Sequence, residues 1–142
     1  MLLMLLPEQT TQYWGIFKRQ IEDSPPPIAD YGPYNINNIL TSIMMGGMQL
    51  WVLKDTTDEL VGFVLTTILR DVSGVSTLLI YNAAILGAAR QNLWLEGLET
   101  LIKFGRNRGC AKIASFVCNE KLISLAKDKG LDSQFVFINY NI

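Results

Sequence analysis

The spacing of apolar positions changes period several times along the chain, and each change marks the edge of a predicted element. Met1-Leu2-Leu3-Met4-Leu5-Leu6 is an unbroken apolar run stopped by Pro7 and Glu8, which reads as a buried strand. From Glu8 to Asp23, Tyr13, Trp14, Phe17 and Ile21 fall at i, i+1, i+4 and i+8, one face of a first helix. Ser24-Pro25-Pro26-Pro27 then makes a stiff internal loop, too short to separate two domains. Ile36, Ile39, Leu40, Ile43 and Met44 repeat the helical spacing, with Asn35 or Asn37 available as a cap and Gly46-Gly47 as the stop.

The middle of the chain switches to strand character. Gln49 to Leu53, Leu60 to Arg70 and Val75 to Ile85 are rich in Val, Leu, Ile, Thr and aromatics, with turn residues between them. Connections this short predict an antiparallel meander, because parallel neighbours need crossovers of about a dozen residues or more. A helix follows from Arg90 to Asn107, with Trp94, Leu98, Leu101, Ile102 and Gly105 inward, Glu99 spaced to meet Lys103, and Gly109 closing it. Ala111 to Cys118 reads as a strand, Glu120 to Lys129 as a helix stopped by Gly130, and Gln134 to Tyr140 as a last strand. The predicted order is β-α-α-β-β-β-α-β-α-β, an α/β (α+β) arrangement in one domain over residues 1–142.

Composition narrows the chemistry. Hydrophobic residues make up 49% and charged residues 18%, too apolar a mix for intrinsic disorder. A net charge of -1 argues against nucleic acid as the main partner. The absence of histidine removes Ser-His-Asp and Cys-His catalysis and histidine zinc sites; no metal is expected. Cys110 and Cys118, if joined by extended chain, stand about 26 Å apart at roughly 3.3 Å per residue, beyond disulfide reach. They read as reduced thiols of a cytoplasmic protein. The first six residues lack a basic flank and the length of a signal peptide or membrane span, so no membrane association is expected. Ile43-Met44-Met45-Gly46-Gly47-Met48 puts apolar side chains at a helix end, where not all face inward, and points to protein partners or self-association.

Two segments carry a resemblance. Phe104-Gly105-Arg106-Asn107-Arg108-Gly109-Cys110 and Asn119-Glu120-Lys121-Leu122-Ile123-Ser124-Leu125-Ala126-Lys127-Asp128-Lys129-Gly130-Leu131 resemble a helix end with its Arg-Gly-Cys turn and an Asn-Glu segment of the GNAT acyl-CoA N-acyltransferases. With the element order, the resemblance spans nearly the whole chain and extends to short bacteriophage proteins. It implies a mixed, mostly antiparallel sheet. It also implies an acetyl-CoA site near Ala84 and Ile85, with the pyrophosphate on backbone N-H groups at Arg90, Gln91, Asn92, Leu93 and Trp94 and the pantetheine arm near Asn119.

At the reacting positions the sequence departs from that pattern. Asn92 and Trp94 stand where the family's pyrophosphate loop has small residues, Ala126 stands where it often has a tyrosine acid, and the strand from Val75 to Ile85 has no carboxylate to act as a base. Tyr81 is the only titratable side chain on that strand. These losses favour a non-catalytic interaction or structural module, such as a bacteriophage virion or assembly component, with no cofactor. The alternative is an acetyl-CoA-dependent N-acetyltransferase with an atypical pyrophosphate loop. That alternative requires the Trp94 indole to stay out of the gap between the strands near Ala84 and Asn119. Elsewhere, Asn119 reads as a helix cap, Cys110 and Cys118 as packing residues, and Arg106, Arg108, Lys112 and Lys121 as a solvated basic face.

Overall fold

The computed structural model describes residues 1–26, 36–87, 91–116, 120–130 and 138. Its elements are β1 (Leu2–Met4), α1 (Pro7–Asp23), α2 (Ile36–Met44), β2 (Met48–Lys54), β3 (Leu60–Arg70), β4 (Ser76–Ile85), α3 (Gln91–Asn107), β5 (Lys112–Ser115) and α4 (Glu120–Asp128). This is the order read from the sequence as far as α4. The predicted last strand, apart from Ile138, lies outside the described residues.

The five strands form one sheet in the order β1-β2-β3-β4-β5, antiparallel except for the β4–β5 pair. The α3 crossover between β4 and β5 supplies the length that a parallel pair needs. β1 departs from the expectation of a buried strand. It is a three-residue edge strand on β2, with Leu2 buried and Leu3 and Met4 exposed. An edge strand this short finds cover only for Leu2, which packs with the second core, so the apolar run does not bury Leu3 and Met4.

β2 and β3 read as nearly continuous apolar stretches because helices cover both faces of the sheet. On one face α1 and α2 bring Phe17, Ile21, Ile36, Ile39 and Ile43 against Leu50, Val52, Phe63 and Leu65. On the other, Leu101 of α3 packs with Leu2, Trp51, Leu53, Val61, Val64 and Leu78. α3 buries Gly97, Leu101 and Gly105, a stripe one residue wide that draws the helix close to the sheet. A Cβ at Gly105 would stand 3.5 Å from Leu78 Cδ2. The helix turns Glu99 and Lys103 into a groove beside Met1 and Leu2, and among the described residues they make no ion pair. Glu96 instead faces the Met1 amino group at 3.8 Å.

One polar chain crosses the second core: Trp51 Nε1 donates to Thr66 Oγ1 at 2.9 Å, and Thr66 Oγ1 donates to Gln49 Oε1 at 3.0 Å. Thr66→Val keeps the volume and removes the acceptor. It is expected to cost about 1–3 kcal/mol, the penalty of a buried unpaired donor, read as a lower urea midpoint at constant slope.

Both β-hairpin turns are pinned by an aspartate. Asp55 accepts from the Thr57 hydroxyl at 2.7 Å and from the Thr57 and Glu59 backbone N-H groups. Asp71 accepts from the Ser73 hydroxyl and, at 3.1 Å, from the Ser73 N-H. In each case the hydroxyl bond, followed by backbone N-H groups, holds the carboxyl below its ordinary value of 3.8. A lowered folded-state pKa means that the turns are favoured while the aspartates are ionised, above pH 3.8, and lose that support as pH falls through the lower folded value. Carboxyl chemical shifts of Asp55 and Asp71 are expected to titrate with midpoints below those of the same peptides unfolded.

At the end of α2, Ile43 is buried while Met45 is 83% exposed, as the apolar run requires once the helix ends at Gly46 with φ +80°. Arg108 lies over the Phe104 ring at 5.2 Å, and Arg106 and Lys112 are exposed. Cys110 is a free thiol packed against the second core; Cys118 lies outside the described residues. No helix among the described residues is long and apolar enough to cross a membrane.

Candidate functional site

The parallel pair β4–β5 is the natural place for a site, because ligands in such sheets gather beyond the carboxyl ends of parallel strands. The pairing runs only from Thr77–Lys112 to Ile80–Ser115. At the same level β4 bulges: Leu65 pairs with Asn82 and Thr66 with Ile80, so Tyr81 is the extra residue. A bulge bends its strand and increases the local twist. Among the described residues the β4–β5 ladder is traced as far as Ile80–Ser115, and residues 117–119, next along the chain, lie outside them. Nothing in the alternation of Val75 to Ile85 marks this bulge, and the sequence reading missed it.

α3 follows β4, and its first turns lie over β3, β2 and β1, with Trp94 at Gly62 and Gly97 against Leu2 and Leu53. The N-H groups of Gln91, Asn92, Leu93 and Trp94 are the first four of the helix and have no intrahelical acceptor. Gln91 and Asn92 are exposed, and the first turn carries no acidic side chain that would repel an anion. The helix dipole adds partial positive charge at the same place. Asn92 thus presents no bulk toward the sheet.

Trp94 is the residue on which the sequence reading turned, and its indole goes elsewhere. Its Cζ2 and Cη2 atoms lie 3.3 Å from the position that a Cβ would take on Gly62. Gly62 belongs to β3, on the side of β4 away from β5. The ring therefore fills the second core, beside Leu93 and Phe104, on the side of β4 away from β5. Gly62 makes room for it: a Cβ there would also meet the Ala84 carbonyl oxygen at 2.8 Å. A glycine inside a strand pattern signals such close approach, so this partner of Trp94 was legible and was not drawn from the sequence.

Of the other residues singled out, Ala84 packs against the first core and Ile85 is 58% exposed at the end of β4. Asn82 Nδ2 donates to the Ser24 carbonyl at 2.9 Å and ties the end of α1 to the bulge. Tyr81 packs against the first core. Ala126 on α4 is half-buried and supplies no proton. Arg90 and Asn119 lie outside the described residues. No group of acidic or sulfur side chains suited to a metal occurs among the described residues.

This architecture is that of the GNAT acetyltransferases. Solved structures share it over the whole chain. A ribosomal-protein-alanine N-acetyltransferase from Brucella melitensis is 11% identical, with TM-score 0.69 and coverage of 100% of this chain and 99% of that one. A Pyrococcus furiosus chain named "putative acetyl transferase" is 18% identical, with TM-score 0.69 and full coverage of both chains. An aminoglycoside N-acetyltransferase in complex with CoA is 17% identical, with TM-score 0.67 and coverage of 100% and 98%. No family model and no curated protein matches the sequence. The expectation of a non-catalytic module without a cofactor is corrected by these matches: the three solved structures above, matched end to end, carry acetyltransferase names, one of them in complex with CoA. The error came from treating Trp94 as an obstruction on its position in the sequence, without knowing which way a helical side chain at that position points.

Proposed function

We propose that the chain is an acetyl-CoA-dependent N-acetyltransferase with an atypical pyrophosphate-binding loop. The observation that carries this reading is the end-to-end likeness of the fold to acetyltransferase structures, one of them in complex with CoA, together with a Trp94 ring that lies against Gly62 of β3 and not toward β5. The residues fit the group. Backbone N-H groups of Gln91 to Trp94 hold the pyrophosphate, and the main chain of β4 near Ala84 and Ile85 holds the extended arm, as the resemblance implies. The resemblance adds Arg90 and Asn119, whereas the structural support comes from Gln91 to Trp94. When bound, acetyl-CoA supplies an activated acetyl thioester.

The chain's own contribution is binding and orientation, worth several kcal/mol of a barrier when two reactants are held in line. β4 carries no carboxylate, and Ala126 offers no hydroxyl. In this reading the acceptor amine loses its proton to water. With two acceptors of different amine pKa, the pH–rate profile is expected to follow the amine; one fixed midpoint for both would mean a protein base.

Binding is tested by thermal unfolding with CoA. A ligand at about 100 times its dissociation constant adds roughly 2.7 kcal/mol, a rise of roughly 5 to 10 °C for a domain of this size. No rise at millimolar CoA would sink the reading.

A further inference from the structure

The acetyl-CoA reading leaves one donor idle. Trp94 Nε1 is buried and, among the described residues, has no hydrogen-bond acceptor. Buried indole N-H groups usually find a partner, and an unpaired one destabilises the state that holds it. Its orientation explains the lack. Cζ2, which touches the Gly62 position at 3.3 Å, is bonded to the ring carbon that carries Nε1, so the N-H edge is turned down onto the sheet. The backbone there is already paired, with the Leu86 N-H donating to the Val61 carbonyl at 2.9 Å.

The ring as a whole is only partly buried. The outer torsion of an aromatic side chain is broad and roughly two-fold. A half-turn about it exchanges the edges of the indole, keeps the ring between α3 and β3, and takes the N-H off the sheet.

We propose that Trp94 is a cofactor-responsive hydrogen-bond donor. Without cofactor it rests with its N-H edge on Gly62; with cofactor the ring turns and the N-H donates to a phosphate oxygen of the pyrophosphate at the first turn of α3. This rests on the acetyl-CoA reading and extends it to a side chain, where the pattern of the fold would use only backbone. It also accounts for a tryptophan at a position where leucine or phenylalanine would fill the core without a polar atom to satisfy.

The test follows the indole N-H signals of the three tryptophans in 15N-labelled protein during a CoA titration. Trp94 is assigned by its loss in Trp94→Phe or, if that variant does not fold, by elimination with Trp14→Phe and Trp51→Phe. CoA is expected to move the Trp94 signal downfield and leave the Trp51 signal, already bonded to Thr66, in place. Trp94→Phe is expected to bind CoA about tenfold or more weakly by calorimetry, as befits a bond to a charged acceptor. Binding heat with an unmoved Trp94 signal, or wild-type affinity in Trp94→Phe, overturns the donor and leaves the acetyl-CoA reading standing. No binding heat from the wild-type protein overturns both.

Discussion

Phe63→Ala is expected to lose about 3–5 kcal/mol of stability, the range for emptying a fully buried aromatic site. Phe63 is 0% exposed and stands in the first half of β3, where its ring meets the Phe17 ring at 4.6 Å between centroids and a tilt of 54°. Phe17 in turn stacks on Tyr13 at 5.9 Å. The rings, with Ile21, pack α1 onto the sheet, so the cavity opens between two layers instead of inside one element. Neighbouring side chains cannot close it without moving the helix, which places the cost toward the upper end. Calorimetric unfolding should show a midpoint lower by roughly 10–20 °C, and Phe63→Leu a loss below about 1.5 kcal/mol. A loss under about 1 kcal/mol for Phe63→Ala would mean that α1 is fastened by other contacts.

The sheet and helices were legible because each element carries its own period. Ile36, Ile39 and Ile43 announce a helix, and the Val-Leu-Ile-rich stretch of β3 a strand with both faces covered. β1 was misjudged because six apolar residues in a row say that a segment is greasy without saying how much partner surface is on offer at a sheet edge. The site was harder to read, for two physical reasons. Tyr81 is a bulge only because β3 and β4 differ in length between fixed pairings, a property of two strands that neither reveals alone. Trp94 could be placed at the first turn of α3 by counting, but whether its ring blocks a groove or fills a core depends on a hole made by a glycine 32 positions earlier. Gly62 and Trp94 are a matched pair of small and large, and a reading that weighs each residue at its own position sees only a missing glycine and an intruding indole.

That pairing gives the second large effect. Gly62→Val is expected to cost about 3 kcal/mol or more, at the upper end for overpacking. A Cβ placed there stands 2.8 Å from the Ala84 carbonyl oxygen and 3.3 Å from the Trp94 ring. The ring is the end of a side chain and can swing aside. The carbonyl belongs to the backbone of β4, next to Ile85, the register partner of Gly62, and cannot move without loosening the β3–β4 pairing. The strain therefore enters at the stretch of β4 that lines the proposed cofactor site, and the indole loses its seat on Gly62. Two losses should coincide in the variant: a lower unfolding midpoint, and a CoA-induced rise in midpoint smaller than that of the wild-type protein. The double variant Gly62→Val with Trp94→Ala removes the ring but keeps the carbonyl contact, so it should recover only part of the stability. If it recovers all of it, the indole alone was the obstacle and β4 is more pliant than its pairing indicates. If Gly62→Val loses stability yet keeps the full CoA-induced rise, the end of β4 and the site are mechanically independent, and the binding groups must all lie on α3.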